Sequence, residues 1–306
     1  GKNSESLKIS GIRRVSEDRI PKVLVEKGII IGVAGSFPKK SEDFGLSIGY
    51  RPGRLHLGAS VMKRSIDELA AIGGQVFFFP NSSANLDEDS KKQLIFIKDY
   101  LSPGSVDEDK IHVIPEDDPE LLTLEREILD TLSFSDFKKI FGFDDSTPIQ
   151  QVREIAEAVT SFLYPSAVRG VKSIGITDYK HHPFVSMSSI AAKRLGIESP
   201  CTLVIDVVPS LNNIEQRMSS RGGRNTIYLA SSDDMAFFRA KSGGRSHEEQ
   251  QTSGGQVNDC VALRIASFFA EPAGVDYLAE NCVKGRLCRD CKTYINNNYI
   301  KELVNG

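Results

Sequence analysis

The sequence of 306 residues lacks any stretch of eighteen consecutive apolar residues, and its first residues carry no apolar segment of the kind found in signal peptides. A membrane-spanning helix and a secretory leader are therefore not expected. We expect a soluble, cytoplasmic protein without a membrane partner. The chain opens with Gly1 rather than methionine, so nothing is built on its first residues.

A strong charge of either sign is also missing, because the formal net charge at pH 7 is -3. A protein that coats nucleic acid without sequence preference would carry a large positive charge. We therefore expect no DNA partner. A shaped tRNA surface remains compatible with a mildly acidic total.

Cysteine is scarce, and the five cysteines form no framework of pairs, which favours a reducing compartment over a secreted protein. Cys288 and Cys291 have the C-x-x-C spacing of half a zinc site, with Cys282 upstream. No second pair follows, and His247 lies far away in the sequence. We expect thiols on a helix and no metal site.

Short apolar runs alternate with segments of helical periodicity over most of the chain, and its composition of 40% hydrophobic and 26% charged residues suffices for a full core. The apolar runs predict strands at 46–48, 75–79, 111–114, 172–177 and 202–205. The periodic segments predict helices at 59–72, 88–101, 119–132, 148–163 and 183–195. Alternation of this kind predicts an α/β fold with a doubly wound parallel sheet and ligands beyond the carboxyl ends of its strands.

After about residue 230 the pattern turns helical, with an apolar stripe that includes Val261, Ile265 and Phe268. We therefore divide the chain into an N-terminal segment at 1–24, a Rossmann-like nucleotide-binding domain at 25–230 and a small helical domain at 231–306.

The loop at residues 52–59 reads Pro-Gly-Arg-Leu-His-Leu-Gly-Ala and stands directly before a predicted helix. Gly58 lets a ligand approach the backbone at the helix start, where N–H groups and a partial positive charge favour phosphate. His56 could donate to a phosphate oxygen. The alternative is a histidine that caps the helix or lies on the surface.

A second loop, at residues 217–224, interleaves Arg217, Arg221 and Arg224 with serine and glycine. Such a loop could close around phosphate. The alternative is a mobile, solvated basic loop.

Three further segments accompany these loops. Residues 242–259 contain Ser-Gly-Gly-Arg, then Glu-Glu-Gln, Gly-Gly-Gln and an aspartate; residues 140–146 read Ile-Phe-Gly-Phe-Asp-Asp-Ser; residues 225–229 read Asn-Thr-Ile-Tyr-Leu. Together with the two loops, they resemble the tryptophanyl-tRNA synthetases of eukaryotes and archaea. The resemblance runs from about residue 26 to the C-terminus.

The resemblance implies a class I synthetase fold, a Rossmann-like parallel sheet followed by a small helical domain. It also implies a homodimer, ATP-dependent activation of tryptophan and transfer to tRNA. ATP and magnesium would enter as substrates only if the protein is active, and no permanently bound cofactor is implied. The positions that match the ATP site are Gly49, His56, Gly58, Met218 and Ser219, and the degenerate catalytic candidates are His56, Arg217 and Ser219.

Several positions of the implied substrate pocket depart from the family pattern. The family's tyrosine, second histidine, glutamine, carboxylate and Asp-Gln-Asp run are replaced here by Ser47, Ala59, Phe79, Ala84, Lys180, His181 and His182. Loss of one preorganised donor costs about 3 to 4 kcal/mol in catalysis. Loss of the acids that bind the substrate ammonium costs several kcal/mol more.

Three hypotheses follow from these departures. We favour a synthetase homologue that has lost tryptophan activation and acts as a binding or regulatory protein. The second is an active tryptophan-tRNA ligase in which other residues have taken over. The third is a nucleotide-binding enzyme of changed specificity, with His181 and His182 as phosphate donors or base.

A cluster of basic residues near the C-terminus could contact a tRNA anticodon stem, or could simply be a solvated face. Its members are Lys284, Arg286, Arg289 and Lys292.

Overall fold

The structure is a computed structural model that describes residues 19–82, 86–178 and 182–306. Ala84, Lys180 and His181 lie outside the described residues. The chain forms two compact units: the sheet unit contains Ile30–Pro52 and Ser65–Asp206 together with the segment ending at Val25, and the helical unit contains Glu26–Ile29, Gly53–Arg64 and Val207–Gly306. This division differs from the boundary expected near residue 230, because the loop at 53–58 is hydrogen-bonded to residues 227–229.

The sheet unit is built on six strands in the order β1-β6-β5-β2-β3-β4. The strands are β1 (Ile30–Ala34), β2 (Phe44–Tyr50), β3 (Gln75–Pro80), β4 (Ile111–Val113), β5 (Lys172–Asp178) and β6 (Cys201–Ile205). Neighbours from β6 to β4 are parallel, which confirms the expected α/β fold with a mostly parallel sheet. The chain runs outward through β2, β3 and β4 and then returns to β5 on the other side of β2, so β2 and β5 flank a topological switch point.

The sheet unit also contains the helices that cover the sheet and the first helices of the chain. They are α1 (Lys22–Glu26), α2 (Gly58–Ala71), α3 (Glu88–Leu101), α4 (Pro119–Thr131), α5 (Phe134–Phe141), α6 (Ile149–Arg169) and α7 (His182–Leu195), of which α1 and α2 cross the unit boundary. Glycines let α6 lie close to the sheet: a Cβ on Gly175 would come within 2.4 Å of the Phe162 ring. The buried cluster beneath these helices includes Phe77, Leu163 and Tyr164.

Three features of the sheet unit differ from the sequence-based prediction. Strand β1 was not predicted, and it pairs with β6 in the antiparallel direction. Helix α5 was also not predicted; it begins with a capping box at Ser133 and ends at Gly142 in the left-handed conformation. Helix α6 was predicted to end at residue 163, but it continues through Pro165 to Arg169.

A hydroxyl from the sheet explains how α6 passes its proline. Pro165 has no N–H, so the carbonyl of Ser161, four residues earlier, loses its helical hydrogen bond. The Ser47 hydroxyl of β2 donates to that carbonyl over 3.0 Å and also lies 3.3 Å from the Phe162 carbonyl oxygen. Ser47 therefore replaces the missing donor.

The helical unit contains a short hairpin followed by helices. Its elements are β7 (Pro209–Ser210), β8 (Asn213–Arg217), α8 (His247–Ser253), α9 (Val261–Phe269), α10 (Pro272–Val283), α11 (Cys288–Ile295), a π-helical turn (Asn296–Ile300) and α12 (Lys301–Asn305). The expected turn to helical structure after the sheet is confirmed. Among the described residues, no helix is both long and apolar enough to span a membrane.

Candidate functional site

The loop at residues 52–59 and the segment that follows the loop at residues 217–224 are paired within the helical unit. The Leu57 amide donates to the Ile227 carbonyl over 2.9 Å, and the Leu229 amide donates to the Leu55 carbonyl over 3.0 Å. His56 and Tyr228 form an antiparallel bridge between these bonds. Residues separated by about 170 positions in the chain are thus joined as a short ladder.

His56 is held as a neutral imidazole. Its Nδ1 accepts a hydrogen bond from the Gly58 amide over 3.0 Å, so the ring proton lies on Nε2. Burial lowers the pKa of His56 to about 4, and the positive charge of Arg217 contributes to the same shift. At neutral pH the side chain can therefore donate through Nε2–H without carrying a charge.

Gly58 and Ala59 start helix α2 immediately after this histidine. A Cβ on Gly58 would lie 2.6 Å from the His56 ring, so the ring position requires glycine. Ala59 offers only a methyl group at the position where the resemblance implies a second imidazole. The helix start keeps its dipole, while the amides of Gly58 and Ala59 already donate to His56 and the Ser60 amide to the Leu57 carbonyl.

The backbone carbonyls of the second loop accept hydrogen bonds from side chains that follow the loop in the sequence. The Ser219 carbonyl accepts from the Thr226 hydroxyl over 2.6 Å, and the Ser220 carbonyl accepts from the Tyr228 hydroxyl over 2.8 Å. The Met218 side chain is buried, and its amide donates to the Val208 carbonyl. These bonds fasten the loop at three points.

Cationic side chains point outward from this fastened loop. Arg217, Arg221 and Arg224 are exposed, and Arg54 of the first loop is exposed as well. The Arg54 guanidinium lies 4.1 Å from the centre of the Tyr228 ring. Exposed cations beside a neutral histidine and a helix start form an arrangement suited to binding phosphate groups.

Gly49 lies in the sheet unit, near the carboxyl end of β2. A Cβ on Gly49 would meet nothing within 4 Å, so there is open space beside the backbone. Strand β2 borders the switch point, where ligands bind in open α/β sheets.

Asp178 was missed by the sequence analysis. It is buried and ends β5, the strand on the other side of the switch point from β2. The sequence signal was an acid that closes an apolar strand. The resemblance assigns the family's Asp-Gln-Asp run to residues 180–182, just beyond Asp178.

Two of the positions that the resemblance assigns to the substrate pocket, Ser47 and Phe79, contact other residues of the sheet unit. Phe79 is buried, and its ring lies 5.6 Å from that of Tyr164 in an edge-to-face arrangement. The Ser47 hydroxyl is engaged by the carbonyl oxygens of α6. Both side chains therefore have structural roles.

His182 is the first residue of α7, and its Nδ1 lies 3.2 Å from the Ser186 hydroxyl oxygen. Within the described residues no second histidine is brought to it by the contacts of this helix, and His181 lies outside them. The predicted histidine pair stays a prediction.

Two groups of residues in the helical unit were considered in the sequence analysis: the cysteines as metal ligands and the basic residues as contacts to tRNA. Cys288 and Cys291 lie on α11, and burial raises the pKa of Cys291 to about 11. In the part of the chain that the structure describes, no group of three or more His, Cys, Asp or Glu residues is arranged to hold a metal ion. Lys292 donates to the Phe238 and Ala240 carbonyls, so its charge is used inside the unit.

Comparison with known proteins connects this geometry to the resemblance seen in the sequence. No protein-family model matches the chain. The tryptophan-tRNA ligase of Encephalitozoon cuniculi is 27% identical over 150 residues, which cover 46% of this chain and 39% of that protein. Over this part, the chain is similar in sequence to tryptophanyl-tRNA synthetases.

Solved structures show the same fold over nearly the whole chain. A tryptophanyl-tRNA synthetase homologue from Entamoeba histolytica superposes with a TM-score of 0.80 at 17% identity, covering 98% of this chain and 90% of that one. The tryptophanyl-tRNA synthetase of Aeropyrum pernix superposes with a TM-score of 0.79 at 18% identity, covering 99% and 91%. The expected class I synthetase fold, with its C-terminal helices, is confirmed. The sequence match itself spans about two fifths of the curated relative.

Proposed function

We propose that this tryptophanyl-tRNA synthetase homologue binds ATP through the loops of its helical unit, does not activate tryptophan, and acts as a binding or regulatory protein. The observation that carries the proposal is a contrast between two sets of residues. The loops of the helical unit carry a neutral histidine and exposed arginines, whereas Ser47 and Phe79 are used by the core of the sheet unit.

The nucleotide part of the proposal rests on charge and on preorganisation. His56 supplies a neutral N–H donor, and Arg217 supplies a nearby positive charge, which contributes to the lowered pKa of the imidazole. The loop that carries Arg217 is already fastened, so little ordering entropy would be lost when phosphate binds.

The loss of tryptophan activation rests on the buried aromatic position. Phe79 stands where the resemblance implies an amide that contacts the amino acid, and a phenyl ring packed on Tyr164 cannot hydrogen-bond a substrate. A site that has lost polar partners for a charged ammonium binds it weakly, because the desolvated charge is left uncompensated.

Unfolding measured with and without ATP, and tryptophan-dependent pyrophosphate exchange, test the two halves separately. ATP at a hundredfold excess over its dissociation constant should stabilise the protein by about 2.7 kcal/mol, and exchange should stay at background. Arg217→Gln should weaken ATP binding at least ~10-fold, whereas Arg126→Gln, which changes an exposed arginine of α4, is the control and should leave ATP binding unchanged. Absence of ATP binding would contradict the first half, and robust exchange the second.

One observation favours a second candidate function, an active tryptophan-tRNA ligase. Asp178 places a buried carboxylate at the switch point of the sheet, where an acid could hold the substrate ammonium. If so, tRNA charging should exceed background and should be lost in Asp178→Asn. Glu198→Gln, which changes an exposed acid of the same unit, should leave charging unchanged.

We also propose a cytoplasmic homodimer, by analogy with the family, and weak contact with tRNA through Lys284 and Arg289, which are exposed. Sedimentation at several protein concentrations tests the dimer, and a monomer at high concentration would contradict it. Neutralising the two exposed residues should reduce the salt dependence of tRNA binding, whereas an unchanged slope would indicate a solvated face.

A further inference from the structure

One tyrosine of the helical unit, Tyr228, contacts both the loop at residues 52–59 and the loop at residues 217–224. Tyr228 pairs with His56 across the short ladder, its ring lies beneath the Arg54 guanidinium, and its hydroxyl donates to the Ser220 carbonyl. Tyr228 thus contacts the first loop by backbone and ring and the second loop by its hydroxyl.

The loop that Tyr228 holds is also attached at its two ends, because the Met218 amide donates to the Val208 carbonyl and the Arg239 guanidinium donates to the Arg224 carbonyl over 2.9 Å. The Thr226 hydroxyl donates to the Ser219 carbonyl over 2.6 Å, and the amide of Gly222 donates to the same carbonyl over 3.1 Å. The Arg221 amide donates to the Ser219 hydroxyl over 3.1 Å. Most of these bonds lie within the loop itself, whereas the Tyr228 hydroxyl ties the loop to the ladder.

We propose that Tyr228 is a positioning residue, which fastens the Ser219–Arg221 turn to the His56 loop and so holds the Arg217 loop ready for the phosphates of a nucleotide. This proposal rests on the proposed function for its ligand. The fastening itself belongs to the unliganded protein, and it can be measured without a nucleotide.

The physical reason is preorganisation. A loop that must be ordered on binding loses conformational entropy, and this loss subtracts from affinity. A hydroxyl that fixes the loop beforehand removes part of that loss. The Arg54 guanidinium over the ring restrains the tyrosine in turn, through a cation–π contact.

The first measurement is hydrogen exchange of the loop amides in the absence of nucleotide. Gly222, Asn225 and Thr226 donate their amides to carbonyls within the loop, so their exchange reports its opening. Tyr228→Phe keeps the ring and removes only the hydroxyl, and we expect exchange to become about fivefold faster, as for loss of one ordinary hydrogen bond. Tyr277→Phe, which changes an exposed tyrosine of α10, is the matched control and should leave exchange unchanged.

The second measurement is ligand affinity. In Tyr228→Phe the affinity for ATP should fall about fivefold, while the affinity for adenosine, which has no phosphate, should not change. Equal weakening of both ligands would indicate general damage to the fold and would overturn the positioning role.

The two possible failures are distinguishable. If the wild-type protein binds no ATP, the proposed function fails, and the phosphate part of this inference fails with it. If ATP binds but Tyr228→Phe exchanges its loop amides at the wild-type rate, the fastening is wrong while the proposed function stands. Faster exchange without a change in ATP affinity would also overturn the positioning role.

Discussion

The neutral state of His56 makes a prediction about acid stability that can be worked out in magnitude. Burial and the nearby Arg217 lower the pKa of His56 from 6.5 to about 4 in the folded protein. Between these two pH values His56 is protonated in the unfolded chain and neutral in the folded protein. Stability should therefore be fully present above pH 6.5 and should be lost as the pH falls towards 4.

The size of this loss follows from the shift. A difference of about 2.5 pKa units at 1.36 kcal/mol each gives an upper limit of ~3.4 kcal/mol. His56 is half-buried rather than fully enclosed, and solvent screening reduces the effect, so we expect ~1 to 3 kcal/mol at pH 4.

The assay is urea unfolding followed by circular dichroism at several pH values between 7 and 4, on the wild type and on His56→Gln. The difference in unfolding free energy between the two proteins cancels the other titrating groups, to the extent that they act independently. The difference should shrink by ~1 to 3 kcal/mol as the pH falls. Arg217→Gln should retain part of the slope, because burial is the larger cause of the shift. A difference that stays constant between pH 7 and 4 would refute the neutral, half-buried imidazole.

Two further substitutions test structural roles. Ser47→Ala should cost ~1 to 3 kcal/mol of unfolding free energy, because the Ser161 carbonyl would be left without a donor; a denaturant titration that shows no loss would contradict this role. Gly254→Ala should cost ~2 kcal/mol or more in the same assay, since Gly254 has a φ of 78° and a Cβ there would lie 2.1 Å from the Val283 carbonyl oxygen. Gly104→Ala, with nothing within 4 Å of the added carbon, is its control, and equal losses would contradict the steric explanation.

The parallel strands of the sheet could be predicted because their apolar runs are distinct. Residues 75–79 and 202–205 are strand formers throughout, as expected for strands covered on both faces. Strand β1 has a glycine at its centre, and its register is irregular next to that glycine. The local signal is nevertheless strong, because residues 29–31 and 33 are isoleucine and valine, so this strand could have been predicted from the sequence.

The candidate site could be predicted only in part, because its decisive contacts are long-range. The sequence indicated His56 and Arg217 as separate features, and nothing local shows that residues 55–57 pair with residues 227–229. The continuation of α6 through Pro165 could not be predicted from local sequence either, because the compensating donor, Ser47, comes from a strand more than one hundred residues earlier. Local sequence patterns indicate hydrophobic periodicity and helix-breaking residues. The pairing of the two loops and the passage of α6 through its proline depend instead on hydrogen bonds between segments that are distant in the sequence.

The positions that keep the family pattern and those that depart from it differ in what the backbone around them allows. In the Ser-Gly-Gly-Arg and Gly-Gly-Gln segments, a Cβ on Gly243 would lie 2.7 Å from the Gln256 carbonyl oxygen, and one on Gly255 would lie 2.3 Å from the Cys282 sulfur. No side chain fits there, so these glycines are required by the fold itself. Phe79, by contrast, occupies a volume that an apolar ring fills well against Tyr164. A phenylalanine there fits the core of the sheet unit and offers a ligand no hydrogen bond.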